Sequence, residues 1–432
     1  MFKAIFLFLL ILPSLLLARP TRNKEISCKD KDVKSFKSHD HLKLKYRRIK
    51  GRSRAKIDSL QLHGGPGSKA IEIGQYVKKF SPRRTFMMDL RGTHCNKLHP
   101  DLLSKVEIST DSIIQDWVTI ARKEKIKKVL IHGLSFGTVL SVKLADAYEK
   151  IGIDVIGVIQ DGTVGNYKNY PQFSKFYNSV WKQHIKEFLS SDYKKEIDSP
   201  KPYGFTHEEF SKLAELASRN GYIQWKEHQA PYPLTKVIAD LKKLSEQKSN
   251  TMRSWLRSLV SNESAKKRED KYVYKKLSCV EINPSGLEYQ LHFSPAGNLN
   301  THPDNLGFCQ NEFPYKKQFY PQDYSFDAPI LFIEGSLDPN TPIFGALTQA
   351  QAFDHNKRTL LLADGGGHGS LLSYFKSCQL HILKAMYEQK EITNKTLSKC
   401  ASYKLLSVKK QESLTHQSEY FENVMIWYNS KT

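Results

Sequence analysis

None of the six cysteines in this 432-residue chain is spaced as Cys-x-x-Cys, and none stands in a cluster with histidines. A zinc-finger framework is excluded, and no metal site is expected. No internal repeat and no low-complexity tract is present, which argues against a repeat architecture. Beyond the amino terminus no apolar run is long enough to cross a bilayer as a helix. Acidic residues are also scarce, 44 against 66 lysines and arginines, for a net charge of +22. The lysines are scattered and accompany no nucleic-acid motif, so nucleic acid is not an expected partner. Contact with an anionic envelope or wall surface fits such a charge, and so does solubility alone. What remains, 40% hydrophobic and 25% charged residues, suits a globular protein with one large core, with or without a major insertion.

The amino terminus reads separately. Met1-Phe2-Lys3 precedes an unbroken apolar run from Ala4 to Leu12, followed by Pro13, Ser14, Leu15-Leu16-Leu17-Ala18 and then Arg19-Pro20. One lysine, a short apolar stretch and a small residue at its end predict a secretory signal over residues 1–18. The alternative is an uncleaved anchor, for which the run is short. No cysteine follows to accept a lipid. The expected location is a periplasm or the cell exterior, and there an even number of cysteines implies disulfides.

From about Asp58 to Gly162, short apolar runs alternate with amphipathic stretches. Ser59-Leu60-Gln61-Leu62 enters a glycine loop, and Thr85-Phe86-Met87-Met88 enters Asp89. Lys128-Val129-Leu130-Ile131 enters His132-Gly133-Leu134-Ser135-Phe136-Gly137, and Val155-Ile156-Gly157-Val158-Ile159 enters Asp161. Between the last two lies a helix carrying Val139, Leu140, Val142, Leu144 and Tyr148 and ending near Gly152. Strand, loop, helix and strand in this order predict an α/β fold with a parallel sheet covered by helices. The rhythm breaks from roughly Tyr167 to Asp327, where lysines and aromatics dominate at helical spacing. Thr206-His207-Glu208-Glu209 reads as a capping box, and Val237, Ile238, Leu241 and Leu244 mark another helix. The alternation resumes at Pro329–Ile333 and Thr359–Leu362. A helix over Tyr374–Tyr387 and a tail helix with Phe421, Val424, Met425 and Trp427 close the chain. The expected core is thus 19–166 with 327–432, interrupted by a mostly helical insertion over 167–326.

A serine between two glycines is weak information alone, since G-x-S-x-G arises by chance in about one protein of this length in seven. Its setting is more specific. A strand before Ser135 and a helix after it form the tight turn that raises a nucleophilic hydroxyl above the carboxyl edge of a sheet. Serine needs a base and an orienting acid, which in this architecture follow in the order Asp then His, each in a loop after a strand. Asp338 in "EGSLDPNTP" and His368 in "DGGGHGS" stand there. Asp161 and Asp364 are alternative acids, and Asp338 could serve only to cap a helix. An oxyanion hole requires backbone N–H groups aimed at one point. Gly64 and Gly65 of "LHGGPG", with Phe136 after the nucleophile, supply them.

Together His63-Gly64-Gly65-Pro66-Gly67, "DLRGTH" from Asp89, Gly133-Leu134-Ser135-Phe136-Gly137, Asp338 and His368 resemble the prolyl-iminopeptidase and tripeptidyl-aminopeptidase branch of the α/β-hydrolases. The resemblance spans roughly Ser59 to Cys400, with the insertion in the position of the family's cap. It implies a cofactor-free serine exopeptidase acting on peptides with a free amino terminus. It also implies disulfides Cys279–Cys309 and Cys378–Cys400, which leaves Cys28 with Cys95. Where that family has glutamine and glycine, this chain has Leu90 and His94. The resemblance nominates Glu281 in "SCVEINPS" as the partner of the substrate ammonium, with Glu227 as the other option. Two rivals stay open. One is an esterase or lipase on the same scaffold, and the other is a non-catalytic envelope-binding protein. An aspartate in place of Ser135 would mark an epoxide hydrolase or dehalogenase, so these are disfavoured.

Overall fold

A computed structural model describes residues 27–51, 56–73, 83–165, 201, 204–206, 209, 245–265, 271–282, 291–293, 299–301, 319–336, 338, 341, 343–353, 357–364, 366–371, 375, 377–400 and 403–407. The expected signal over 1–18, the helices after Thr206 and around Val237, Glu227, Cys309 and the tail helix lie outside these residues.

Eleven strands are described: β1 (Val33–Lys37), β2 (Lys43–Lys50), β3 (Asp58–Leu62), β4 (Arg84–Met88), β5 (Lys128–Leu134), β6 (Asp154–Asp161), β7 (Leu291–Phe293), β8 (Leu299–Thr301), β9 (Ile330–Gly335), β10 (Arg358–Ala363) and β11 (Tyr403–Ser407). Nine form one sheet in the order β1-β2-β4-β3-β5-β6-β9-β10-β11, and β7 pairs with β8 apart from it. The strands from β4 to β10 in that order run parallel. Both margins are antiparallel, β1 and β2 on one side and β11 on the other. Each strand read from the sequence is present. The margins β1, β2 and β11 are additional, and the lysine-rich sequences of β1 and β2 carry little apolar signal.

The principal helices are α1 (Thr110–Glu124), α2 (Phe136–Lys150), α3 (Glu246–Ala265), α4 (Lys271–Leu277), α5 (Phe344–Ala352) and α6 (Gln379–Tyr387). The first begins in a reciprocal capping box between Ser109 and Ser112 and ends on Lys125 in the left-handed conformation. Reciprocal bonds also join Thr206 and Glu209, as their spacing predicts. The helix expected from Tyr374 starts later, at Gln379, after turns that hold Phe375 and Cys378.

Central strands bury both faces, so their side chains alternate between two cores. Val129, Ile131, Val158, Ile330 and Phe332 pack with Trp117 and Ile120 of α1 and Val139 and Leu144 of α2. Leu130, Ile156, Ile159, Leu331 and Ile333 pack with Ile382, Leu383 and Met386 of α6. Each fully buried aliphatic contributes about 1.5–3 kcal/mol. Helices on both faces hold the sheet rigid, and its carboxyl edge is where the functional loops gather.

Candidate active site

Ser135 sits between the last residue of β5 and the first of α2, with φ 54° and ψ −123°. That left-handed backbone costs a non-glycine residue of order 1–3 kcal/mol, so surrounding bonds must impose it. They do. The Ser135 N–H donates to Asp161 O at 2.9 Å, and its carbonyl accepts Thr138 N–H at 2.8 Å and the Thr138 hydroxyl at 2.6 Å. Close approach explains the glycines. A Cβ on Gly137 would overlap the Leu62 carbonyl, and one on Gly64 would lie 2.7 Å from Ser135 Cβ. The glycine loop after β3 is therefore pressed against the serine turn that carries the Phe136 amide.

Asp338 and His368 come from the loops after β9 and β10. His368 Nδ1 lies 2.8 Å from Asp338 Oδ2. Asp338 also accepts the Thr341 N–H at 3.1 Å and the Thr341 hydroxyl at 2.7 Å. It caps the following turn and holds the histidine at once. Beside His368, Gly369 packs on Leu134, the neighbour of Ser135. Asp161 directs its carboxyl elsewhere, accepting Leu371 N–H at 3.2 Å. Asp364 is half-buried just after β10.

Two further buried carboxyls surround this arrangement. Asp161 is fully buried, and desolvation pushes its pKa up to about 7. Glu334, at the end of β9, is buried too and accepts Thr163 N–H at 2.7 Å, and desolvation raises it well above the carboxylate range. Burial acts oppositely on the imidazoles of His63 and His132, lowering both to about 4. Those two rings are neutral at neutral pH. Sequence reasoning missed Thr138, Thr163, Thr341 and Glu334. Of these, Thr341 had a visible signal, three residues beyond an aspartate in a proline-flanked turn.

The TAP-like protein family matches residues 301–386, a stretch that contains Asp338 and His368. Among solved structures, an esterase from Exiguobacterium antarcticum is similar at 13% identity, over 82% of this chain and 98% of its own, with a TM-score of 0.43. A proline iminopeptidase from Mycobacterium smegmatis is similar at 12% identity over 82% and 98%, with a TM-score of 0.42. A serine hydrolase from Cycloclasticus zankles is similar at 12% identity over 82% and 97%, with a TM-score of 0.45. No curated protein sequence matches the chain. The sheet order, the turn at Ser135 and the family match agree. The fold is of the α/β-hydrolase type.

In this fold the departures at Leu90 and His94 are accommodated. Leu90 joins the core beside α1. His94 Nε2 bonds the Gly67 carbonyl at 2.9 Å, tying "DLRGTH" to the glycine loop. Asp89 supports the same loop through Ile71 N–H at 3.0 Å and Cys95 N–H at 3.2 Å. Arg91 is buried and bonds Asp116 and Asp40. His39, Asp40 and Asp116 form a cluster of the kind that could hold a metal ion, and the Arg91 guanidinium already supplies its positive charge.

Glu281 is held by contacts of its own. Its carboxylate accepts Thr110 N–H at 2.7 Å and the Thr110 hydroxyl, at the start of α1. Lys143 Nζ, two turns along α2 from Ser135, is 3.7 Å away and also pairs with Asp111 at 2.6 Å. This carboxylate is occupied by a helix terminus and an internal lysine. Disulfides join Cys28 to Cys95 and Cys378 to Cys400. Cys279 is disulfide-bonded as well.

Proposed function

We propose that this protein is a serine hydrolase of the aminopeptidase type, cleaving peptides from a free amino terminus. The observation that carries the reading is the 2.8 Å bond between His368 Nδ1 and Asp338, in loops that meet the constrained turn at Ser135. Ser135 Oγ attacks the scissile carbonyl and gives its proton to His368 Nε2. Asp338, accepting from Nδ1, fixes the tautomer that leaves Nε2 free to accept. Backbone N–H groups of Phe136 and of Gly64 or Gly65 receive the negative charge that develops on the carbonyl oxygen. His368 then returns the proton to the departing amine, and water hydrolyses the acyl-enzyme by the same route. No cofactor enters this sequence.

The aminopeptidase assignment draws on the resemblance of the glycine loop and "DLRGTH" to that branch. An esterase on the same machinery is the second reading, and the engagement of Glu281 with Thr110 and Lys143 favours it by removing the nominated ammonium partner. Export is part of the proposal, supported by the leader-like amino terminus and the disulfides. The charge of +22 would draw the exported protein to anionic surfaces.

Fluorophosphonate labelling tests the mechanism. The probe should attach to Ser135, and Ser135→Ala should abolish labelling and lower turnover by about 10⁶, as loss of a triad nucleophile does. Attachment at another residue, or undiminished hydrolysis by the variant, would refute it.

A further inference from the structure

Asp161 reaches both the nucleophile turn and the histidine loop. Its backbone oxygen accepts the Ser135 N–H at 2.9 Å. Its carboxyl Oδ1 accepts the N–H of Leu371, three residues beyond His368, at 3.2 Å. The next residue, Gly162, donates its N–H to Ile333 O at 2.9 Å, in the strand that leads to Asp338. Gly162 also lies directly against the His368 ring, where an added Cβ would meet two ring atoms at 3.1 Å. Val164 N–H then donates to Thr138 Oγ1 at 3.0 Å, and that hydroxyl donates to the Ser135 carbonyl. One four-residue segment thus touches all three loops.

We propose that Asp161 is a positioning residue, whose side chain sets the histidine loop relative to the nucleophile turn by accepting the Leu371 N–H. This rests on the reading of Ser135 as nucleophile and His368 as base. The carboxyl acts through the shape of its acceptor and not through a negative charge. Asp338, by contrast, accepts three donors, namely the His368 ring, the Thr341 N–H and the Thr341 hydroxyl. Asp161 is fully buried, has no hydrogen-bond partner at Oδ2, and shares its surroundings with Glu334 and Asp338. A further negative charge there is opposed by desolvation and by like charge. A neutral carboxylic acid retains the acceptor without that cost, and an asparagine reproduces it in size and in acceptor.

The test compares wild type with Asp161→Asn, Asp161→Ala and Asp161→Ser in steady-state hydrolysis and in the rate of fluorophosphonate labelling. Asp161→Ala and Asp161→Ser should lower kcat and labelling rate by about 100-fold with KM unchanged, the scale expected when a catalytic group is displaced by about 1 Å. Asp161→Asn should recover most of that loss. Should the alanine variant fail to fold, the serine variant, polar but too short to reach Leu371, carries the comparison. Alanine or serine variants within about threefold of wild type would overturn the proposal. So would an asparagine variant as impaired as they are, which would mark a role for the charge. Failure of wild type itself to label at Ser135 would strike the reading of the site instead.

Discussion

At the scale of single residues, four aspartates and glutamates near the sheet's carboxyl edge differ in what surrounds them. Asp338 meets the Thr341 N–H, the Thr341 hydroxyl and the His368 ring, so it is placed to orient His368. Asp338→Asn should preserve the fold and lower kcat by about 10⁴, because the histidine loses its tautomer. Steady-state kinetics on folded variant check this, and an Asp364→Asn variant with the larger defect would transfer the role. Asp161 makes a separate prediction in stability. Unfolded, an aspartate loses its proton near pH ~4, whereas the buried Asp161 keeps its own up to about 7. The folded state therefore binds more protons in that window. Its stability on this account is complete below pH ~4 and declines as pH rises to about 7. Asparagine does not titrate. The stability of Asp161→Asn relative to wild type should thus climb from pH ~4 to ~7 and then level, by up to ~4 kcal/mol. Thermal unfolding of both proteins across that range tests it, and a constant difference would contradict a buried neutral acid. The strained turn at Ser135 and the pairing of Asp338 with His368 were legible in the sequence because strand, turn and glycine spacing are local patterns. Thr163 and Glu334 were not, because a lone threonine and a glutamate at a strand end acquire meaning only once β6 and β9 lie side by side.

At the scale of elements, the same distinction separates what sequence pattern reveals from what it hides. The central strands are read easily, since burial on both faces demands continuous apolar runs such as Ile330–Ile333. The margins are not. In β2, buried Leu44 and Tyr46 alternate with half-buried or exposed lysines, and in a lysine-rich chain that alternation resembles surface loop. Glu281 illustrates the difficulty for sites. Its position after a cysteine matched a pattern, but its contacts come from α1 and α2, far away in sequence. There it offsets the positive end of α1 and pairs with Lys143, with both side chains 5% exposed. Removing Lys143 should leave a buried carboxylate without its cation, at a cost of about 3–5 kcal/mol. Glu281→Gln should cost about 1–2 kcal/mol, since an amide oxygen still accepts from Thr110 and Lys143 keeps Asp111. Denaturant unfolding of Lys143→Met and Glu281→Gln measures both. If the two variants are equally stable, the ion pair is not what holds these helices to the segment after α4.

For the molecule as a whole, the open question is the substrate, and the structure sharpens it. On the proposed reading the hydrolytic groups sit at the edge of a rigid sheet, and attack by Ser135 would suit an ester as well as an amide. An exopeptidase needs one thing more, a carboxylate for the substrate's ammonium, because a charge buried without a partner costs several kcal/mol. Among the described residues the nominated carboxylate of Glu281 is already engaged. If the protein is an aminopeptidase, peptides with free amino termini should be cleaved at least tenfold faster than their acetylated counterparts, as measured by kcat/KM. A hydrogen bond to a charged group, worth about 1.5–3 kcal/mol, sets that lower limit. The preference should survive Glu281→Gln unchanged, because that carboxylate is already engaged by Thr110 and Lys143. Charge reversal or amide substitution at Glu227, the other candidate of the sequence, should then reduce it. Equal rates on free and acetylated peptides, alongside rapid cleavage of simple acyl esters, would overturn the aminopeptidase reading and make the protein an esterase on the same triad. A preference that vanishes in Glu281→Gln while denaturant stability holds would return Glu281 to the substrate, and the contacts at Thr110 would then have to open when a peptide binds.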